Sequence, residues 1–455
     1  MLRINTLSSV IRRYSIRSIP FTKEDLKGDD KYKDLNDHYS DLFTSEETQV
    51  SSKSKENSLS DDIAEINAEL NELYGVESPI EVQNVEQREQ KPQEFPIKEQ
   101  DIHHDIQQDI QQDTQPIPTL KKESLLDKIK SNTPKIFISK SNNPFLNLAM
   151  EDYIFQNTPV TNPFKAQRLI FYTNTPCVVI GKSQNPWRET NLPYLNSVGI
   201  PVLRRNSGGG TVVHDLGNVN YSFINSKESF SRTFFGSVIV KAVNKRYGFE
   251  KLAQNERGDI IMALDKKKIS GSAFKVTRGK SYHHGTMLLN SDLANLKQAL
   301  NKRQRTGIME FECRSVDSVP SPVDNLGLPN HDFIEVVSKA FQKMYETPVE
   351  IVEVDEFHNE EILKIAENLK DWKWRFGSTG SFKLKLNHQE SGTLIEFHVE
   401  KGILKDFKTN KESDFEFLRE QLTRGLELKF KSDEFVRFIK GDLYEWIGNQ
   451  IDGTH

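Results

Sequence analysis

The sequence predicts an α+β fold with a mainly antiparallel sheet, and three observations carry that prediction. Short runs rich in β-branched and aromatic residues recur at hairpin-like spacing between 168 and 289. Two amphipathic helices with recognisable start signals interrupt them, rather than a helix after every strand. No GxGxxG opens a helix and no GxxxxGK[ST] is present, so the doubly wound nucleotide folds lose their fingerprints.

The elements follow in order. NNPFLNLAMEDYIF opens with Asn143 as a cap and Pro144 at the first helical position, then places Phe145, Leu148, Ala149 and Tyr153 on one side. Arg168–Thr173 and Cys177–Gly181 read as strands broken by Asn-Thr-Pro. VGIPVLRR is a short strand, and VNYSFI alternates Val219, Tyr221 and Phe223. SRTFFGSVIVKAVNKRYG reads as a helix capped by Ser231 and stopped by Gly248. KKISGSAFK and YHHGTMLL are further strands. NLGLPN, at 325–330, marks a break, followed by a helix through Ile334–Tyr345. From about 370 come WKWRFG, SFKLKLN, a hairpin across TLIEFHVEKGILKDFKTN and helices near 414–425 and 433–449.

Composition separates the N-terminal third from the rest. The chain is 36% hydrophobic, low beside the ~45–50% (glycine included) usual for globular chains, so part of it is not packed. Residues 24–132 are rich in Asp, Glu, Lys, Gln and Ser, and DIHHDIQQDIQQD repeats with a period of four. That composition reads as low-complexity and disordered, with His103 and His104 as solvated members of the repeat. Within it, Ile63, Ile66, Leu70 and Leu73 fall at helical spacing and suggest a transient helix. Residues 1–23 carry Arg3, Arg12, Arg13 and Arg17 with no acid before Glu24, and Ile4, Leu7, Val10, Ile11 and Tyr14 share a helical face. This is the pattern of a mitochondrial transit peptide, and the expected location is the matrix. The expected division is therefore 1–23, 24–132, a catalytic domain at 133–330 and an accessory domain at 331–455.

Charge and cysteine content narrow the function classes. The net charge of −5 does not suit a basic nucleic-acid binder. No apolar run approaches the ~18 residues of a membrane span. Cys177 and Cys313 are the only cysteines, too few for a disulfide scaffold or a four-thiolate zinc site.

Chemistry concentrates in four segments. RRNSGGGTVVHDLGN, Arg204 to Asn218, sets three glycines after two arginines. Glycines there permit a turn with φ > 0 and the approach of a ligand to bare N–H groups. The residues alone leave a turn and an anion site equally open. If the strand runs that far, Arg204 and Arg205 face opposite ways, one structural and one toward a phosphate. His214-Asp215 reads as a frame for the loop. DKKKISGSAFK places Lys268 before a run of small residues, while Lys266 and Lys267 read as solvated charge. ERGDII offers Asp259 to Mg²⁺, to a nucleoside or to a turn. In YHHGTMLLN, His283 and His284 face apart and read as structural.

Together, RRNSGGGTVVHDLGN, KKISGSAFK and SYHHGTMLLNSDL resemble the signature segments of the lipoate-protein ligase A family, in a mitochondrial, fungal-type form. NNPFLNLAMEDYIF, VVIGKSQNPW and PVDNL resemble its flanking segments in the same order. The resemblance runs from about Lys135 to Leu326 and more weakly beyond. It implies a biotin/lipoate ligase-like catalytic domain with a small α+β accessory domain. It also implies two steps: lipoate attacks the α-phosphate of ATP to give lipoyl-AMP, and a lysine of a lipoyl domain then takes the acyl group. In that scheme Lys268 is the catalytic charge. Arg205, Ser207, Gly208, Gly209, Gly210, Thr211, Val212, Val213, Asp259 and Lys268 bind ATP and lipoate, with Asp259 toward Mg²⁺. The implied acceptors are lipoyl domains of 2-oxoacid dehydrogenase acyltransferase subunits and the glycine-cleavage H-protein. The family usually carries Asn before that acid; here it is Gly258. Two alternatives remain: a lipoyl or octanoyl transferase using acyl-CoA or a preformed acyl-nucleotide, with Cys313 as the better candidate nucleophile, and a non-catalytic lipoyl-domain binder or assembly factor.

Overall fold

The computed structural model describes residues 123–300, 308–355 and 359–454. The expected transit peptide and low-complexity region lie outside the described residues, apart from the end of the latter. That end forms a short helix, Leu125–Lys130, capped by Ser124.

The strands are β1 (Lys135–Ser139), β2 (Arg168–Thr173), β3 (Cys177–Ile180), β4 (Val202–Arg204), β5 (Val212–His214), β6 (Asn218–Ser226), β7 (Leu252–Gln254) and β8 (Ile260–Met262). There follow β9 (Ser272–Val276), β10 (Lys280–Leu288), β11 (Met309–Cys313), β12 (Glu350–Val354), β13 (Phe382–His388), β14 (Thr393–Glu400), β15 (Ile403–Thr409) and β16 (Leu428–Lys429). A six-stranded sheet runs β12-β1-β2-β6-β10-β9. It is parallel at β12-β1 and β1-β2 and antiparallel from β2 onward. Strands β4-β3-β5 make a small mixed sheet, and β11-β13-β14-β15-β16 an antiparallel one. The α+β, mainly antiparallel expectation holds.

Helix signals translate into geometry. The first long helix is Pro144–Asn157, and Asn143 Oδ1 accepts from the amides of Phe145 and Leu146 at 3.0 and 3.3 Å. The second, Phe234–Tyr247, starts later than expected, with Thr233 at the cap position. Ser231 still accepts from the Phe234 amide at 3.1 Å, and Gly248 closes the helix at φ +75°.

Two packed faces hold the large sheet. Helices Phe234–Tyr247 and Asn330–Gln342 bury Phe235, Ile239, Phe333 and Phe341 against Leu169, Phe171, Tyr221 and Phe223. Helices Pro144–Asn157 and Glu360–Lys370 pack on the other face, with Tyr153, Ile154 and Leu369 against Phe137, Ile170, Tyr172 and the small sheet. Burying such side chains contributes about 1.5–3 kcal/mol each.

The expected boundary between 330 and 331 does not separate two folding units. The helix after it completes the first core, and β12 pairs in register with β1, from Lys135↔Glu350 to Ser139↔Val354. Conversely, β11 lies before the boundary yet pairs with β13. The accessory layer is thus β11 plus the chain from about 371. Its core is continuous with the small sheet: Trp187 packs its ring against Phe376, Phe382 and Phe430. WKWRFG forms one π-helical turn, Lys373–Gly377. The helix expected at 433–449 is two helices, Ser432–Phe435 and Leu443–Ile451, broken around Gly441 at φ +68°.

Candidate active site

A cavity of about 370 Å³ opens between the loop after β4 and the start of β9. One wall is Gly209, Gly210, Thr211 and Val212; the opposite one is Gly271, Ser272, Ala273, Gly285 and Thr286. Arg205, Asp259, Lys268, His214 and His284 also face it, and Val316–Val319 form a strap along one side. The volume falls within the ~300–1,000 Å³ typical of small-molecule sites.

Lysine 268 stands at the charged end. Its Nζ lies 2.9 Å from Asp259 Oδ1, and Arg257 Nη2 holds Asp259 Oδ2 at 3.2 Å. The Lys268 backbone is fixed on both sides, donating to the Pro322 carbonyl at 2.8 Å and accepting from the Asp324 amide at 3.1 Å. Strand β9 begins only at Ser272, so Lys268 precedes it and bridges Ile261 and Val323 instead. Lys267 pairs outward with Asp265 and Asp324, as its reading as surface charge requires.

The two arginines divide their labour as strand alternation predicts. Arg204 is fully buried. It donates to the carbonyls of Lys182 and Gln184 at 2.8 Å, to those of Trp374 and Arg375, and to Thr379 Oγ1 at 2.8 Å. It stitches the accessory layer to the loop. Arg205 faces the cavity, but its donors are turned on the loop itself. Nη2 reaches the carbonyls of Gly208 and Gly210 at 2.5 and 2.7 Å, Nη1 the Val179 carbonyl at 3.1 Å, and Nε Ser207 Oγ at 3.0 Å. Burial lowers both guanidinium pKa values to about 10, still charged at neutral pH. Arg205 thus organises the loop while its positive end stays at the cavity wall, where the sequence reading expects it to meet ATP phosphate or lipoate.

The glycine loop is shaped by contacts only glycine allows. Gly209 sits at φ +88°, and its carbonyl lies where a Cβ on Gly181 would be, 2.2 Å away. Ser207 and Val213 are buried beside the wall, and Gly208 is exposed. Ser318 Oγ accepts from the Thr211 amide at 2.9 Å and from Gln184 Nε2 at 3.0 Å, which clips the strap to the loop.

The histidines are buried frame members with distinct partners. His214 Nδ1 lies 2.9 Å from Asn174 Nδ2, and burial with the neighbouring Arg205 charge lowers its pKa to about 3. Asp215 accepts from the amides of Gly217 and Asp292 at 2.9 and 2.7 Å, the framing role read for the His-Asp pair. His283 contacts Ser272 Oγ at 3.0 Å, and its pKa is also lowered to about 3 by burial. His284 faces the cavity and joins Glu151 and Ser207, each at 2.7 Å.

Asp259 faces the cavity with its oxygens on Lys268 and Arg257, and the described residues contain no cluster of three metal-ligating side chains. The cysteines are off the cavity. Cys177 is buried, which pushes its thiol well above the usual range. Cys313 lies on β11 with its sulfur 3.2 Å from Arg188 Nη1.

The chain is similar to known proteins over most of its described length. Residues 143–343 match the family model described as Lipoyl protein ligase A/B catalytic domain. A Saccharomyces cerevisiae protein assigned as lipoate-protein ligase A is 36% identical over 406 residues, covering 86% of this chain and 88% of its own. The chain belongs to the lipoate-protein ligase family. The lipoate-protein ligase A of Bdellovibrio bacteriovorus is 33% identical over 67% of this chain and 90% of its own. Among solved structures, LipL1 of P. falciparum in complex with lipoate covers 70% of this chain and all of its own, at 23% identity and TM-score 0.45. A lipoate-protein ligase A bound with ATP covers 53% and 96%, at 22% identity and TM-score 0.42.

Within this ligase, the sequence reading missed Glu151, Gln184, Thr286 and the strap 316–319. Gln184 and Glu151 lay in segments already noted, but nothing in a single sequence says that a helical Glu turns inward. The strap has no motif; its signal is only Ser318 in RSVDSVPSPVDNL. Gly258, where the ligases usually have Asn, adopts φ +82°, a conformation Asn also tolerates.

Proposed function

We infer that the protein performs ATP-dependent lipoylation, by activating lipoate to lipoyl-AMP and transferring the acyl group to a lysine. The observation that carries this reading is the Lys268–Asp259 pair at one end of a cavity walled by the glycine loop. A carboxylate and a triphosphate repel, and a fixed ammonium between them offsets that repulsion as charge develops. Lys268 serves as that ammonium in both steps. Between Val212 on the loop wall and Ala273 with the small residues of β9 on the opposite one, the cavity suits an apolar acyl tail, where each buried methylene contributes about 0.8 kcal/mol.

Magnesium would enter with the nucleotide and offset phosphate charge, and Asp259, beside Lys268 and Arg257, is the carboxylate that would face it. The acceptors are lipoyl domains, those of 2-oxoacid dehydrogenase acyltransferase subunits and of the glycine-cleavage H-protein. An archaeal structure named for a bi-partite lipoate protein ligase and its E2 lipoyl domain is consistent with that class. The basic, acid-free residues 1–23 support delivery to the mitochondrial matrix.

The deciding experiment compares donors on the purified chain. Lipoate-dependent exchange of pyrophosphate into ATP, followed by modification of an apo lipoyl domain, is expected. Modification from octanoyl-CoA or lipoyl-CoA alone, without exchange, identifies a transferase instead. A protein that binds the domain and does neither is a non-catalytic partner.

A further inference from the structure

A hydrogen-bonded chain behind the glycine loop has no place in the two-step chemistry described above. It begins at Glu151, 3% exposed in the middle of the helix Pro144–Asn157. Glu151 Oε2 accepts from Tyr172 OH at 2.9 Å, and Oε1 lies 2.7 Å from His284 Nδ1. His284 Nε2 lies 2.7 Å from Ser207 Oγ, which receives Arg205 Nε at 3.0 Å.

Donor and acceptor bookkeeping gives the chain one direction. A carboxylate only accepts, so Nδ1 of His284 is the donor to Glu151, and a ring carrying that one proton presents Nε2 as an acceptor. Ser207 then donates to Nε2, and its lone pairs are free for Arg205. Arg205 in turn ties the carbonyls of Gly208 and Gly210.

The order Ser-His-Glu is that of a hydrolase triad, but Ser207 is 2% exposed and off the cavity wall. Its lone pairs face a guanidinium, which rules out attack on a ligand. On the side away from the ligand, Glu151, Arg205 and His284 border a void of about 10 Å³, room for about one water. On that side there is room for about one water in place of a lost member of the chain.

We propose that Glu151, His284 and Ser207 are positioning residues, a relay that orients Arg205 and so holds Gly208–Gly210 in the closed shape that walls the cavity. The kinetic part of this proposal rests on the ligase reading; the structural part does not.

The test uses Glu151→Leu, Ser207→Ala and the double variant in the full chain. Leucine fills the space but removes the acceptor for both Tyr172 OH and His284 Nδ1, whereas a glutamine could keep its carbonyl on Nδ1 and turn its NH₂ to the Tyr172 hydroxyl oxygen. With ¹⁵N-labelled histidine, His284 is expected to be Nδ1-protonated in the wild type and to lose that preference in Glu151→Leu. Amide exchange across 208–211 is expected to accelerate in all three variants while the melting temperature of Ser207→Ala stays close to wild type. In lipoate-dependent pyrophosphate exchange, each single variant is expected to lose roughly ten- to a hundredfold in kcat, with a smaller change in KM. The double variant is expected to be no worse than the poorer single, because all three act through one chain. Multiplying losses, an Nε2-protonated wild-type ring, or unchanged loop exchange overturns the relay. A wild type without lipoate-dependent exchange refutes the ligase reading instead, and the NMR and amide-exchange arms still decide the relay.

Discussion

Lysine 268 carries the charge in the proposed chemistry, and its substitution separates charge from architecture. Lys268→Met keeps the aliphatic stem and removes the ammonium, while Arg257 still neutralises Asp259. The expected result is a loss of about 10²–10³ in kcat, the size seen when a transition-state charge partner is removed, in both pyrophosphate exchange and transfer from preformed lipoyl-AMP. A loss in only one half-reaction means that Lys268 serves only that one. Histidine burial makes a second prediction at this scale. His214 and His283 have folded pKa values of about 3 against roughly 6.5 unfolded. Between those values the unfolded chain binds more protons, so stability rises with pH and is lost as pH falls below 6.5. Each contributes a slope of up to about 1.4 kcal/mol per pH unit there. Urea unfolding at pH 7.5 and 5.0 is expected to show a smaller drop for His214→Asn than for wild type; an equal drop removes His214 as a cause. Arg204, Arg205 and Lys268 were legible in the sequence as special positions, and strand alternation correctly set the arginines apart. That Arg205 spends its donors on the loop was not legible, because the partners are backbone carbonyls, which carry no sequence signature.

At the scale of elements, local signals were readable where one short segment contains both partners of a contact. Asn143 and Pro144 mark a helix start because the cap bonds form within three residues. Gly248 marks a stop for the same reason. The strap 316–319 was not readable, since the bonds that fix Asp317 and Ser318 cross to distant segments: Ser318 to Thr211, Gln184 and Glu189, and Asp317 to Arg188. This gives the strap a testable duty. Ser318→Ala removes the acceptor for the Thr211 amide and for Gln184 Nε2 without adding bulk. Losing such contacts costs about 1–3 kcal/mol locally. The expected outcome is faster amide exchange at Thr211 and a several-fold higher substrate KM, with the melting temperature nearly unchanged. Unaltered KM and exchange show that the strap closes the site without Ser318.

Across the whole molecule, the sequence correctly indicated a second α+β region but misplaced the seam. The break at NLGLPN looks like a linker because Gly and Pro punctuate it, yet Leu326 and Leu328 are buried in the first core. The chain then returns to the first sheet through β12 before the accessory layer resumes. A parallel strand added at the far edge from 215 residues away leaves no periodicity to find. The seam has a physical consequence. Ending the chain at 370 keeps β12 and the helix Glu360–Lys370 but strips Phe382, Phe397 and Phe430 from Trp187, Val178 and Ile180, and leaves β11 unpaired. Arg204 loses Trp374, Arg375 and Thr379 at the same time, so a buried charge next to the glycine loop is left with fewer acceptors, a change that costs several kcal/mol. The truncated chain is expected to expose a large apolar patch, bind a hydrophobic dye and aggregate, even though it contains the cavity and the whole family-matched segment. A soluble, monomeric 124–370 chain that still exchanges pyrophosphate would show that the accessory layer only rests on the catalytic one. Supplying the accessory layer in trans separates the two cases: recovery of activity with a separately expressed 371–455 requires β11 to find β13 between chains, which only an independently folded accessory layer permits.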